Sequence, residues 1–236
     1  MPESLEKRYQ GPVAATYDSQ RSTSPRWRNE NAAFDHFLDC VKPAVILDCP
    51  FGTGRWIPAY DRIQATVHGV DISADMLQQA GAKRPRTAGY TLTVGSIFDY
   101  DFSAIQADLA VCVRFLNWVP FDKAMQAVSR LGLSGAGFLV AGCSVIPAGA
   151  GAMTRLCMKT VLAARNIRAG GKTQYVHDES AFIEGLRERC WKMEARRLIF
   201  RNASRCNYFY LFSRMDPVPG ARCVNGSRQR SHNEGS

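Results

Sequence analysis

Two acids and two glycines carry the chemistry that can be read first from this chain. Asp48 closes the apolar run Val45-Ile46-Leu47, and Gly52 and Gly54 follow in the bend Cys49-Pro50-Phe51-Gly52-Thr53-Gly54-Arg55-Trp56. A missing Cβ at such positions lets the backbone fold tightly and lets a ligand approach it. Asp71 comes twenty-three residues after Asp48, at the end of Thr66-Val67-His68-Gly69-Val70-Asp71. An acid closing the second strand of a strand–helix–strand unit is placed to accept hydrogen bonds from ribose hydroxyls. The ligand implied is adenosine-like. A dinucleotide fingerprint requires a third small residue, and Ile57 stands in that place, which disfavours a pyrophosphate packed against the helix. No G-x-x-x-x-G-K-[ST] sequence occurs, so a P-loop is excluded.

Such a site needs a strand, a bend and a helix in succession, and the surrounding pattern supplies them repeatedly. Short β-forming runs near 45–49, 67–71, 91–95, 107–113 and 136–143 alternate with helical patterns near 55–64, 74–84 and 121–132, which predicts a doubly wound parallel sheet. Right-handed crossovers would bring Asp48, Asp71, Ser96 and Arg114 to one rim. Before the first strand, Phe34, Phe37, Leu38 and Val41 share one helical face. After the fifth, residues 144–177 hold one helical pattern from about Met153 to Arg168, with Arg155 and Lys159 one turn apart. A helix over 179–190 then precedes two strand-like runs, 192–200 and 206–213, joined closely enough to pair antiparallel. A short helix is expected near Leu5 to Tyr9, and the Pro-, Gly- and Ser-rich stretch 215–236 is expected to be disordered.

These residues resemble the motifs of the class I S-adenosylmethionine-dependent methyltransferases. Asp48-Cys-Pro-Phe-Gly-Thr-Gly-Arg is similar to the D-x-P-C-G-T-G-R variant of the family's glycine motif. Gly69-Val70-Asp71-Ile72-Ser73 resembles the second motif, Val94-Gly95-Ser96-Ile97-Phe98-Asp99 the third, and Ala107 to Phe115 the fourth. The likeness runs in order from about Tyr17 to Arg214. It implies a Rossmann-like, seven-stranded α/β sheet, mostly parallel, with a C-terminal antiparallel hairpin strand. The division implied is an N-terminal lid or arm over 1–25, a methyltransferase domain over 26–214 with a substrate-side cap at 144–177, and the tail.

The same resemblance implies S-adenosyl-L-methionine as cofactor and nominates the residues that hold it. Gly52 and Gly54 would admit the methionine and ribose portions, Asp48 would order the bend, and Asp71 would grip the ribose. Ile72 and Ile97 would sandwich the adenine, with Ser96 at its edge where the family often has an Asp. Tyr17, with Arg21 beside it, would sit in the lid, and Arg114 follows the fourth strand. For proton removal from an acceptor, His177, Tyr175 and Asn117 are the candidates, since histidine titrates near neutrality. Trp118 is either core or a platform for the acceptor.

Composition bounds the partners. A net charge of +9 and the absence of any carboxylate between Asp122 and Asp178 favour an anionic partner, either a small acidic acceptor or nucleic acid. A small or medium-sized acceptor is preferred, methylated on oxygen rather than nitrogen; the alternatives are an RNA methyltransferase and a non-catalytic binding protein of the same fold. No apolar run approaches the roughly 20 residues of a membrane span, and the N-terminus lacks a signal peptide's apolar core, so a cytoplasmic location is expected. The eight cysteines are scattered without a C-x-x-C pair. Buried reduced thiols at Cys49, Cys112 and Cys143 are expected rather than disulfides or a metal site.

Overall fold

The computed structural model describes residues 11–83, 89–168, 173–203 and 205–215. The helix expected near Leu5 to Tyr9 and the tail beyond Met215 lie outside them. In chain order the elements are α1 (Pro12–Thr16), α2 (Pro25–Val41), β1 (Val45–Asp48), α3 (Ile57–Arg62), β2 (Thr66–Asp71), α4 (Ala74–Lys83) and β3 (Tyr90–Val94). There follow β4 (Leu109–Cys112), α5 (Phe121–Gly132), β5 (Phe138–Ile146), α6 (Ala152–Arg168), β6 (His177–Asp178), α7 (Glu179–Arg187), β7 (Trp191–Asn202) and β8 (Arg205–Arg214).

The sheet runs β3-β2-β1-β4-β5-β8-β7, with β6 paired to the end of β5. Strands β1 to β5 are parallel to one another, while β8 lies antiparallel to both β5 and β7. The expected architecture is therefore present, with one addition: the two-residue β6 makes eight strands instead of seven. It arises because β5 runs past the expected end at Cys143 to Ile146, where Val145 and Ile146 pair with His177 and Asp178. That extension also carries Ser144 opposite Asn207 of β8.

Alternation along each strand separates two cores. Leu47 faces α5 in a cluster with Ala124, Val128 and Leu131. Ile46 faces the other way, against Phe34, Phe37 and Tyr60 from α2 and α3. Ser24 caps α2, its hydroxyl accepting from the Trp27 amide at 3.1 Å, and Pro25 sits in the first turn, where its missing N–H costs nothing. Ser73 plays the same part below α4, accepting from Met76 at 3.3 Å. Cys49, Cys112 and Cys143 are buried free thiols as expected. Cys190 departs from that expectation: it is disulfide-bonded, with its partner outside the described residues. No helix among the described residues is long and apolar enough to cross a membrane.

Candidate functional site

Because β1 and β2 are adjacent and parallel, their carboxyl ends open on the same rim, and the chain bends away from each there. The result is a cavity lined by the bend after β1, the end of β2, Gly95 and Ile97 after β3, and Val113 to Phe115 after β4. Most of its wall is apolar: Phe51, Trp56, Met76, Ile97 and Phe115 contribute.

Among the described residues Asp71 is the one carboxylate lining this cavity. Its Oδ2 accepts from the Gly52 amide at 2.7 Å and its Oδ1 from the Ser73 amide at 2.9 Å. Burial raises its pKa, while the backbone N–H groups of Ser73, Gly52 and Ile72 oppose that shift. The carboxylate is thereby fixed in orientation, with lone pairs left for a ligand. Gly52 has φ +60° and nothing lies within 4 Å of where a Cβ would stand, so glycine both adopts this backbone and keeps the wall open. Gly54 serves another purpose. A Cβ there would come within 2.4 Å of Ile57 and 3.0 Å of Ala80, so Gly54 packs α3 against α4 and does not line the cavity.

Asp48 does not line it either. Strand alternation turns its side chain to the side of Ile46, where Oδ2 accepts from the Tyr60 hydroxyl at 2.8 Å and Oδ1 is buried with no partner. Burial lifts its pKa to about 8, the Tyr60 bond opposing and the Asp71 charge assisting. Ser96 turns inward to accept from the Phe98 amide at 3.1 Å, leaving its neighbours Gly95 and Ile97 on the wall. Ile72 lines the cavity, and so does Tyr17.

Tyr17 ends α1, and Asp18 ties this segment to the glycine bend. Its Oδ1 accepts from the Thr53 hydroxyl at 2.8 Å and its Oδ2 pairs with Lys83. Arg21 lies over the Tyr17 ring, 3.9 Å from its centroid, and donates to the Tyr17 carbonyl at 2.8 Å.

Arg114 has φ +61°. It reaches Glu30 of α2, with Nε 3.1 Å from Oε2. Arg26, at 2.8 Å, and Arg55 pair with the same carboxylate. Burial pushes the Glu30 carboxyl up, but the charges of Arg114, Arg26 and Arg55 outweigh it and hold the pKa below the ordinary value. Arg55 stacks on Trp27 at 3.5 Å and on Trp56 at 4.2 Å. This cluster did not emerge from the motifs. One signal existed: Glu30 lies one turn before Phe34, on the apolar stripe of its helix, which marks a buried acid in need of cations.

Of the three candidates for proton removal, His177 and Asn117 have side chains bonded within the fold, and Tyr175 is joined to Asn117 through its backbone. His177 is buried between Phe121 and Phe182, its Nε2 2.9 Å from the Leu116 carbonyl, and burial lowers its pKa although that carbonyl opposes the shift. Asn117 donates to the carbonyls of Ser144 at 3.0 Å and Tyr175 at 2.8 Å and accepts from the Ser144 amide at 2.7 Å. Tyr175 in turn donates its amide to the Asn117 carbonyl at 2.8 Å. Asn117 and Tyr175 thus stitch the loop before β6 to the end of β5. Of the basic clusters, Arg155 pairs with Asp178, Arg187 with Glu184, Lys192 with Glu194 and Arg196 with Glu179.

Residues 46–132 match the family model described as a methyltransferase domain. No curated protein matches the chain. Solved structures share its fold at low identity. Magnesium protoporphyrin IX methyltransferase from Synechocystis PCC 6803 with bound S-adenosylhomocysteine is 15% identical, with a TM-score of 0.68 over 89% of this chain and 98% of that one. The N-methyltransferase NodS from Bradyrhizobium japonicum WM9, also with S-adenosylhomocysteine, is 16% identical, with a TM-score of 0.63 over 91% and 98%. The 1,6-didemethyltoxoflavin-N1-methyltransferase of Burkholderia thailandensis is 15% identical, with a TM-score of 0.62 over 90% and 88%.

Proposed function

We propose, from the premise that residues 46–132 form a methyltransferase domain on a class I methyltransferase fold, that this chain is an S-adenosylmethionine-dependent methyltransferase acting on a small molecule. The observation that carries the reading is the Asp71 carboxylate, pinned by two backbone amides on the wall of an otherwise apolar cavity. Its remaining lone pairs suit the two ribose hydroxyls, and the side chains of Ile72 and Ile97 suit the faces of an adenine ring. Open space at Gly52 suits the chain leading to the sulfonium. When bound, S-adenosylmethionine supplies a methyl group already activated on sulfur, leaving as S-adenosylhomocysteine.

The chain's own work is then to position and to exclude water. Trp118 and Tyr17 border both this cavity and the one beside it, which suits a dry passage between donor and acceptor. Among the described residues no histidine or carboxylate lines the neighbouring cavity, whereas Arg114 does. A nearby guanidinium favours the anionic form of an acceptor hydroxyl and disfavours a protonated amine, so we favour oxygen as the methylated atom. The internal pairing of Arg187, Lys192 and Arg196 weakens the case for a nucleic-acid surface.

Calorimetric titration with S-adenosylmethionine and S-adenosylhomocysteine tests the reading. Saturable one-to-one binding is expected, weakened in Asp71→Asn. Failure of both ligands to bind the intact protein would overturn it.

A further inference from the structure

A second cavity opens beside the first and shares Tyr17, Arg114 and Trp118 with it. Its floor comes from the β5–β8 pair, where Ser144 faces Asn207 and Gly142 faces Phe209. Arg21, Arg26, Arg114 and Arg205 all line it. Four guanidiniums around one cavity require counter-charge, and the described residues supply little. Arg26 and Arg114 share the single carboxylate of Glu30, which also serves Arg55. Arg205 meets the neutral Gln174, and Arg21 spends one nitrogen on a carbonyl.

Arg205 is only 7% exposed. Burial, followed by the charges of Arg165 and Arg26, lowers its pKa to about 10. Its Nε is buried with no hydrogen-bond partner among the described residues, and the same holds for Oδ1 of Asn207, whose Nδ2 donates to the Ser144 hydroxyl at 3.0 Å. Buried polar atoms are nearly always satisfied, and like charges gathered in a low-dielectric wall destabilise the fold. Two such exceptions, two residues apart on β8 and both lining this second cavity, mark a polar wall arranged for a ligand. The planar guanidinium fork matches carboxylate and phosphate oxygens.

We propose that this second cavity takes the methyl acceptor, and that the acceptor is an anion whose carboxylate or phosphate group is held by Arg205 and Arg26. Its nucleophilic atom then points toward the shared wall at Tyr17, Arg114 and Trp118, with Asn207 Oδ1 receiving a hydrogen bond from a hydroxyl or amino group of the same molecule. Trp118 and Phe209 contribute aromatic rings to its lining, which suits a planar body. The inference rests on the proposed methyltransferase reading for its direction of transfer, but the anion site itself is independently measurable.

Titration of the full-length protein saturated with S-adenosylhomocysteine provides the test, with benzoate, phenyl phosphate and the neutral benzamide as probes. The two acids should bind at least about tenfold more tightly than the amide. Arg205→Gln and Arg26→Gln should each reduce that preference by about tenfold while changing S-adenosylhomocysteine affinity less than about threefold. The order of benzoate and phenyl phosphate distinguishes a carboxylate site from a phosphate site. Equal affinity of acid and amide, or no acid binding at about 10 mM, would overturn the proposal. Should Arg205→Gln fail to fold, the wild-type comparison of acid with amide still decides. Lack of S-adenosylhomocysteine binding is a separate result, and it would count against the methyltransferase reading instead.

Discussion

At the scale of single residues, two aspartates at equivalent strand ends have different fates because of the direction each side chain takes. Asp71 faces the cavity and keeps lone pairs for a ligand; Asp48 faces the helix side and spends its one bond on Tyr60. Asp71→Ala should therefore weaken S-adenosylmethionine binding by about 1.5–3 kcal/mol, the range for hydrogen bonds involving a charged group, as read by calorimetry. Asp48 acts on stability. Its folded-state pKa of about 8 stands above the ordinary value of 3.8, so the folded protein holds this proton more tightly than the unfolded chain does. That contribution is complete below the unfolded value and is lost as pH rises through about 8. Asp48→Asn, which keeps an acceptor for Tyr60 without the buried charge, should gain stability over the wild type between about pH 5 and pH 8, with the gain growing as pH rises; thermal melts across that range measure it. Glu30→Ala has the opposite consequence. It strips the only shared counter-ion from three arginines, and a loss of about 3–5 kcal/mol is expected in denaturant titrations.

At the scale of elements, the segment that precedes α7 joins α6 to the body. Asp178 is the N-cap of α7, accepting from the amides of Ser180 at 3.0 Å and Ala181 at 3.3 Å, and its other oxygen pairs with Arg155 of α6. Arg155 in turn donates to the carbonyls of Ala150 at 2.8 Å and Ala148 at 2.9 Å. Asp178→Ala should cost about 1 kcal/mol through the cap alone and should also loosen α6, seen as faster amide exchange over 152–168. If the exchange of α6 stays at the wild-type rate, the coupling between the two helices is refuted. Bend glycines belong to this scale too. With φ +60°, Gly52 cannot take a β-branched residue without backbone strain, so Gly52→Val should lose stability as well as ligand binding.

At the scale of the whole molecule, binding and folding are one equilibrium. Any ligand that occupies only the folded state adds RT ln(1 + [L]/Kd), about 2.7 kcal/mol at a hundredfold excess over Kd. S-adenosylhomocysteine should thus raise the melting temperature in a concentration-dependent way, whereas adenine alone, which leaves Asp71 without a ribose, should do so far less. The contacts of Asp18 with Thr53 and Lys83 close the N-terminal segment onto the glycine bend. Asp18→Ala should speed release of the cofactor in stopped-flow displacement without unfolding the sheet.

Much of this was legible in the chain by itself. Hydrophobic period and glycine position settle strand, bend and helix locally, since each depends on residues a few places apart; β1, β2, α4 and the β7–β8 pair fall within a few residues of where the pattern puts them. The ordered motifs likewise pointed to the family whose fold is found. Other features depended on contacts between residues far apart in sequence. Glu30 and Arg114 are 84 positions apart, and Asn207 meets Ser144 across 63. Which way Asp48 turns, which acid balances Arg114, and whether Arg205 looks into a cavity or into solvent are decided by the pairing of β8 with β5 and the laying of α2 across the sheet. Local spacing carries no information about which distant charge will be left without a partner; only the packed chain sets that.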